Sequence, residues 1–359
     1  MEKILPSLIS SNQSGFIKWR SIFENILLTQ EIVTDIRLRG KPANVVIKLV
    51  MAKAYDRVSW KYLMHVLRKM GFAECFINMI WNLISNNCVS STVSSSIGTI
   101  TEFIKGEFPF TYLGCPIFYT GRRKDYYNDL MKNVKAKLHS WKGKLLSYGG
   151  KSTLISTVLQ SMPMHNLSVI DPPNNVIEQL HKAFVRFFWS TKEEGRSRHW
   201  TKWQILCLPK EEGGVGFKSH HDVSKALFAK FWWKFRTSNS LWSNFMWNKY
   251  CKKEIPTTVQ FRQGSHVWRK MLEAREEVEH EILREMNRGS TNVWHENWTD
   301  LGALYHIVPN DYTINEDMQE VAELRVDDTW DEQLLAQSFP ANNAQHIRQE
   351  VIFGTTDDS

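Results

Sequence analysis

No stretch of this 359-residue chain approaches the ~20 consecutive apolar residues that a membrane-spanning helix requires. Apolar runs such as Val45-Val46-Ile47 and Ile26-Leu27-Leu28 are only a few residues long, so no transmembrane helix is expected. The opening Met1-Glu-Lys-Ile-Leu-Pro-Ser-Leu has neither a long apolar segment nor a small-residue cleavage site, and an intracellular protein, nuclear or cytoplasmic rather than secreted, is the expectation. The five cysteines, Cys75, Cys88, Cys115, Cys207 and Cys251, are scattered, with no Cys-x-x-Cys pair and no zinc-finger spacing. They are expected to be reduced thiols, several of them buried. There is no Gly-x-Ser-x-Gly elbow and no His-Glu-x-x-His, so nothing local argues for a hydrolase triad or a zinc protease.

Core-forming residues are plentiful. Hydrophobic residues make up 42% of the chain, aromatics 12%, and there are 15 tryptophans, which excludes wholesale disorder and allows about two domains. Charge is segregated along the chain. Residues 266–359 hold 7 Lys+Arg against 20 Asp+Glu, whereas residues 1–265 hold 38 against 18, making the first part a candidate binder of polyanions.

Asn44 to Val50 is β-prone and reads as a strand. Ser59 then caps a segment whose Trp60, Leu63, Met64, Leu67 and Met70 recur at helical spacing, with Gly71 where a C′ residue belongs. A second helical pattern follows through Phe76, Ile80 and Ile84. Residues 90–107 are Ser/Thr/Gly-rich and break the periodicity. From 121 to 160 the chain is basic, with Arg122, Arg123, Lys124, Lys132, Lys135, Lys137, Lys142, Lys144 and Lys151 against Asp125 and Asp129, on two helices joined near Gly149-Gly150. Helical periodicity returns over 174–189 and 222–235. Residues 265–287 form one long charged helix whose Glu273, Glu276, Glu277, Glu279, Glu281 and Glu285 are expected on a solvated face carrying i,i+4 pairs. The last 30 residues are poor in apolar side chains and expected to fray.

Gly149-Gly-Lys-Ser-Thr153 has the ending of a phosphate-binding P-loop, but the glycine required at 145 is Leu and the preceding segment is helical. A glycine break with Ser152 as N-cap explains the same residues. His220-His221 stand near an expected helix start, where solvent-facing imidazoles are commoner than metal ligands. Trp189, Trp200, Trp203, Trp232 and Trp233 are either base-stacking platforms or core, and core is the commoner fate of tryptophan at helical spacing.

Two stretches are more specific: Gln13-Ser-Gly-Phe-Ile-Lys-Trp-Arg-Ser-Ile-Phe-Glu-Asn25 and Ile47-Lys-Leu-Val-Met-Ala-Lys-Ala-Tyr-Asp-Arg-Val-Ser-Trp60. Both resemble the reverse transcriptase of LINE-type (non-LTR) retrotransposons, particularly the plant lineage. The resemblance continues in order through Phe110-Thr-Tyr-Leu-Gly-Cys-Pro-Ile117, Trp141 to Leu154, Arg186-Phe-Phe-Trp189, Gly213-Gly-Val-Gly-Phe217, Ala229-Lys-Phe-Trp-Trp233 and Trp294-His-Glu-Asn-Trp298. It implies RNA-directed DNA polymerase ancestry and an α+β, helix-rich fold. Residues 1–96 would be a fingers/palm remnant, 97–107 a junction where the central palm motifs are missing, 108–250 a basic, Trp-rich thumb/linker region, and 251–359 an acidic C-terminal region without the family's zinc-binding end.

The departures strike at the chemistry. In the family, the strand matched by 44–50 ends on a metal-binding aspartate, followed by an aromatic that polices the sugar and a second aspartate. Here the metal position is Val50, while Tyr55 and Asp56 match the nucleotide-binding pair. Two divalent ions activate the primer oxygen in such enzymes, and Mg²⁺ needs oxygen ligands that valine does not offer. The aromatic-x-Asp-Asp hairpin and the Gln-Gly-Asp-Pro-Leu-Ser-Pro segment of the family are absent, and Trp19 replaces the glycine usual before Arg20.

The resemblance therefore implies a truncated, internally deleted descendant with no intact catalytic set and no metal or cofactor as it stands, where the intact family uses Mg²⁺. Its possible partner is RNA or DNA, bound non-specifically through Arg20, Arg122, Arg123, Trp141, Lys142, Lys144 and Lys151. Two alternatives stay open: an active polymerase with substitute carboxylates such as Asp56 with Asp35, and a structural or interaction protein prone to self-association, or a product under no selection.

Overall fold

The computed structural model describes residues 4–35, 46–48, 58–85, 107–118, 123–142, 146–190, 200–252, 254–284, 291–309, 312–315, 317–326 and 329–350. The fold is helix-rich with a few short strands, compatible with the α+β class. Local signals explain where its elements begin. Helix α1 spans Ile22–Asp35. In α2, Trp60–Lys69, the Ser59 hydroxyl accepts the Tyr62 amide, and Gly71 takes φ +84° just past the end. Helix α3, Glu74–Ser85, folds back on α2. Of the expected 44–50 strand only 46–48 are described, and these pair with no strand.

A hairpin of β1, Phe110–Tyr112, and β2, Cys115–Ile117, pairs Phe110 with Ile117 and Tyr112 with Cys115. Leu113 and Gly114 turn it with φ of +47° and +82°, as a tight two-residue hairpin demands. Helix α4, Asn128–Lys142, buries Leu130, Met131 and Val134 and half-buries Leu138 and Trp141. Helix α5, Tyr148–Leu154, corrects the expected joint: Ser147, not Ser152, is the cap, its hydroxyl accepting the Gly150 amide, and both glycines lie inside the first turn. The backbone continues as a π turn over Ile155–Leu159. Helices α6, Asn174–Trp189, and α7, His220–Thr237, match the periodic segments of the sequence. The short α8, Leu241–Met246, is capped by Ser240, and α9, His266–Val278, by Ser265.

Helices α7 and α9 form the most extensive helix pair and centre the larger core, in which Trp232, Trp242 and Trp268 are fully buried and Tyr250 stacks on Trp268 at 4.5 Å between ring centres. Helix α1 belongs to this core. Its buried Glu31 accepts from Lys249 Nζ at 2.9 Å, from the Tyr250 hydroxyl at 2.7 Å and from the Ser265 hydroxyl, and Gln30 brackets Phe118 next to β2 with both ends of its amide. Charge burial on this scale is tolerated because every carboxylate oxygen of Glu31 has a donor.

A second, smaller core gathers Val293, Trp294, Trp298, Val321, Leu335, Phe339 and Ile347. It includes the two-residue strands β3, Arg325–Val326, and β4, Thr329–Trp330, then α10, Glu332–Ser338, and α11, Ala341–Glu350. The expectation of fraying over the last 30 residues is thereby corrected as far as 350: Asp331 caps α10 through two amides, and the few apolar side chains, Leu335, Phe339, Ala344 and Ile347, are all inward. Sparse apolar content is enough where each such residue lands on one face.

The solvated face expected for the 265–287 glutamates holds for Glu273, which pairs with Arg269 four residues before it, and for Glu276, Glu277 and Glu281, but needs correction at Glu279 and in the length of the helix. Helix α9 stops at Val278, a single 3₁₀ turn follows, and Glu279 is buried, accepting from Trp232 Nε1 and Arg236. Arg236, 2% exposed at its side chain, also pairs with Glu296 of the smaller core, which in turn meets Arg284 at 3.4 Å.

Candidate nucleic-acid interface

Periodicity sorts the side chains of α4. Leu130, Val134 and Leu138 fall four apart on the inner stripe, and Lys132, Lys135 and Lys137 fall between them, so the packing that buries the first set exposes the second. All three lysines are exposed and none has an ion-pair partner among the described residues. Arg123 and Lys124 extend the basic surface at the helix's start, where Arg123 approaches Asp125 to 3.7 Å across solvent, a distance and exposure worth little. Asp129 is exposed on the same helix.

The structure brings together only part of the set singled out from the sequence. Arg123 lies at the start of this surface. Trp141 is half-buried, with its ring 6.1 Å from Phe187, and anchors α4 on α6. Lys142 closes α4. Lys151 turns inward: it is 8% exposed, its ammonium donates to the carbonyl and hydroxyl of Ser190, and burial lowers its pKa. Arg20 lies far along the chain in the N-terminal loops, where its guanidinium ties the carbonyls of Pro6, Ile9, Ser10 and Gln13 at 2.5–3.0 Å. Both cations therefore have intramolecular work. Val50, Tyr55, Asp56, Arg122 and Lys144 lie outside the described residues. Asp35, considered as a substitute carboxylate, is bound to Lys249 at 3.1 Å.

The tryptophans divide. Trp203 and Trp232 are core, Trp189 is half-buried, and Trp200 and Trp233 are exposed. His220, expected to face solvent, is 1% exposed, with Nδ1 3.1 Å from His181 Nε2. Burial pushes His181 down to about 3 and His220 down to about 4, so both are neutral near pH 7. The signal available for this pair was the position of His181 on the apolar stripe of α6, between Leu180 and Phe184.

Cys115, Cys207 and Cys251 have no disulfide partner among the described residues, and burial pushes their thiols up to about 12, 11 and 12. They are poor nucleophiles at neutral pH. Among the described residues no three His, Cys, Asp or Glu side chains are placed to hold a metal, and no helix is long and apolar enough to cross a membrane.

The chain is 33% identical over 141 residues to a putative ribonuclease H protein of Arabidopsis thaliana, a match covering 39% of this chain and 23% of that protein. It is 29% identical over 143 residues to an uncharacterized mitochondrial protein of Arabidopsis thaliana, covering 38% of this chain and 92% of the relative. It is also 29% identical over 90 residues to the transposon TX1 uncharacterized 149 kDa protein of Xenopus laevis, covering 24% of this chain and 6% of that protein. No protein-family model matches. The matched region thus spans under a quarter of the length of the ribonuclease H and transposon relatives and nearly all of the mitochondrial one.

Proposed function

We propose that this chain is a retrotransposon-derived protein of the reverse transcriptase/ribonuclease H type that binds nucleic acid without copying it. The observation that carries the binding part is the outer face of α4, with exposed, unpaired Lys132, Lys135 and Lys137 continuing from Arg123 and Lys124. Exposed cations of this kind neutralise phosphates, release counterions and read no sequence. The names of two relatives, a putative ribonuclease H protein and a transposon protein, support the lineage. The finer assignment, to LINE-type reverse transcriptases of the plant lineage, rests on the ordered motifs between Gln13 and Trp298.

Loss of polymerisation rests on the side chain at position 50. A hydrocarbon replaces the oxygen ligand that a Mg²⁺ pair needs to lower the pKa of a primer hydroxyl, and Asp35 is already committed to Lys249. The test has two arms. In filter binding, a primer–template duplex is retained at low salt, and affinity falls steeply as salt rises; no retention at low salt removes the nucleic-acid role. In primer extension with Mg²⁺ or Mn²⁺, no product forms; incorporation abolished by Asp56→Ala would restore the polymerase.

A further inference from the structure

A pocket of about 590 Å³ lies between α6 and the N-terminus of α7 and takes no part in the surface described above. Its volume is within the ~300–1,000 Å³ typical of small-molecule sites. Three basic side chains enter it, Lys182 and Arg186 one turn apart on α6 and Lys202 from the segment ahead of Trp203. Glu178 is the one acid in its lining, and it meets Lys182 at 3.6 Å where both are more than half exposed.

The opposite wall is the start of α7. Ser219 has the extended backbone of an N-cap, φ −70° and ψ 127°, yet its hydroxyl makes no cap bond; of the first-turn amides of this 18-residue helix, that of His220 donates to His181 Nε2 at 3.4 Å, and the hydroxyl takes neither that of His221 nor that of Asp222. Such amides, at the positive end of the helix dipole, favour an anion. Asp222 in the same turn is exposed and does not line the pocket. Two further lining residues are more than nine-tenths buried, Trp203, whose Nε1 has no hydrogen-bond partner among the described residues, and His181, whose Nε2 faces both Nδ1 and the backbone amide of His220. Trp203 is stacked on both faces, by His181 at 5.1 Å and Phe217 at 5.3 Å, so a ligand meets its edge. Val185 adds an apolar wall.

We infer that this pocket binds a phosphate monoester of mononucleotide size, the phosphate held by Arg186, Lys202 and the α7 N-terminus and the organic body against Val185 and the Trp203 edge. A tetrahedral dianion takes several converging donors at once, and a guanidinium adds a bidentate contact. A free nucleotide and the 5′-phosphate end of a strand share this chemistry. The inference goes beyond the non-specific backbone binding proposed for α4 and uses none of its side chains.

The test is isothermal titration calorimetry of the full chain with adenosine 5′-monophosphate, with adenosine as the control. Saturable binding of the monophosphate is expected, none of adenosine, and at least tenfold weaker binding in Arg186→Gln and in Lys202→Gln, both exposed positions whose circular dichroism should match the parent. The triple variant Lys132→Gln, Lys135→Gln, Lys137→Gln should bind the monophosphate unchanged while losing affinity for primer–template, which separates failure of the two readings. A parallel titration with a short oligonucleotide, 5′-phosphorylated or 5′-hydroxyl, assigns the source: preference for the phosphorylated strand over the monophosphate points to strand ends, and equal or weaker binding points to free nucleotides. No saturable binding of the monophosphate by folded protein, equal binding of adenosine, or full affinity in both pocket variants overturns the inference.

Discussion

The two cores meet the same problem, burying apolar faces in a chain with segregated charge, in different ways. The larger one, from α1 to the turn after α9, is dense in aromatics and has Trp232, Trp242 and Trp268 at its centre, with its surplus of cations left on outer faces such as that of α4. The smaller one, from Val293 to Ile347, has few apolar residues and belongs to the acidic end of the chain, where 20 Asp+Glu outnumber 7 Lys+Arg between 266 and 359. Between them the opposite charges are used as a clasp. Arg236 pairs with Glu279 inside the larger core and with Glu296 beside the smaller one, and all three are largely withdrawn from water. The difference teaches that a net charge imbalance along a sequence describes the outer surface and says little about the few charged groups that join one core to another.

The largest test breaks this clasp. Arg236→Ala leaves the buried Glu279 carboxylate without a cation and Glu296 with Arg284 alone, and should cost about 3–5 kcal/mol in urea denaturation. Hydrogen exchange should show the smaller core losing protection first. If stability is unchanged, the clasp is not what joins the regions.

Acid sharpens the comparison from the other side. His181 and His220 belong to the larger region and have folded pKa values depressed from 6.5 to about 3 and about 4. A depressed imidazole binds fewer protons folded than unfolded, so its contribution is whole above pH 6.5 and is lost as pH falls toward 4 and below. The cost for His220 alone is on the order of 3 kcal/mol. Urea midpoints measured from pH 7 to pH 4 should fall, and His220→Gln should flatten that dependence.

A smaller, matched pair asks whether the regions unfold together. Ile155→Val and Ile347→Val each remove one methyl from a fully buried side chain, one per core, and each should cost about 1 kcal/mol. One shared midpoint lowered by both indicates a single cooperative unit; separate transitions, each moved by one variant, indicate two. The smallest effect on folding is expected for Lys132→Gln, Lys135→Gln and Lys137→Gln together, within about 0.5 kcal/mol, because these side chains are exposed and make no ion pair among the described residues. The same variant should make the salt dependence of primer–template binding shallower, by roughly 0.9 in the log–log slope for each phosphate it no longer neutralises.

Helix positions were legible wherever the deciding residues are chain neighbours. Ser59 and Gly71 bracket α2 as their types require, and the apolar spacing of 174–189 and 222–235 marks α6 and α7. The misplaced cap on α5 shows the limit of that reasoning: Ser147 and Ser152 are both competent, and which one faces open amides depends on where the chain enters the helix. For the candidate interface, the basic character of 121–160 could be read directly, but not its division into exposed α4 lysines and an inward Lys151, since Ser190 is 39 residues away.

What the sequence determined by itself was therefore the helix-rich class, the basic charge of the first part, and a hydrocarbon at position 50, because composition, periodicity and side-chain chemistry are local quantities. Only the tertiary structure decided that His220 is buried beside His181, that Glu279 and Glu296 close on Arg236, and that Lys182, Arg186 and Lys202 share a pocket with the start of α7. Each of those depends on packing between segments distant along the chain. Burial and pairing are properties of such encounters, and no residue type carries them alone.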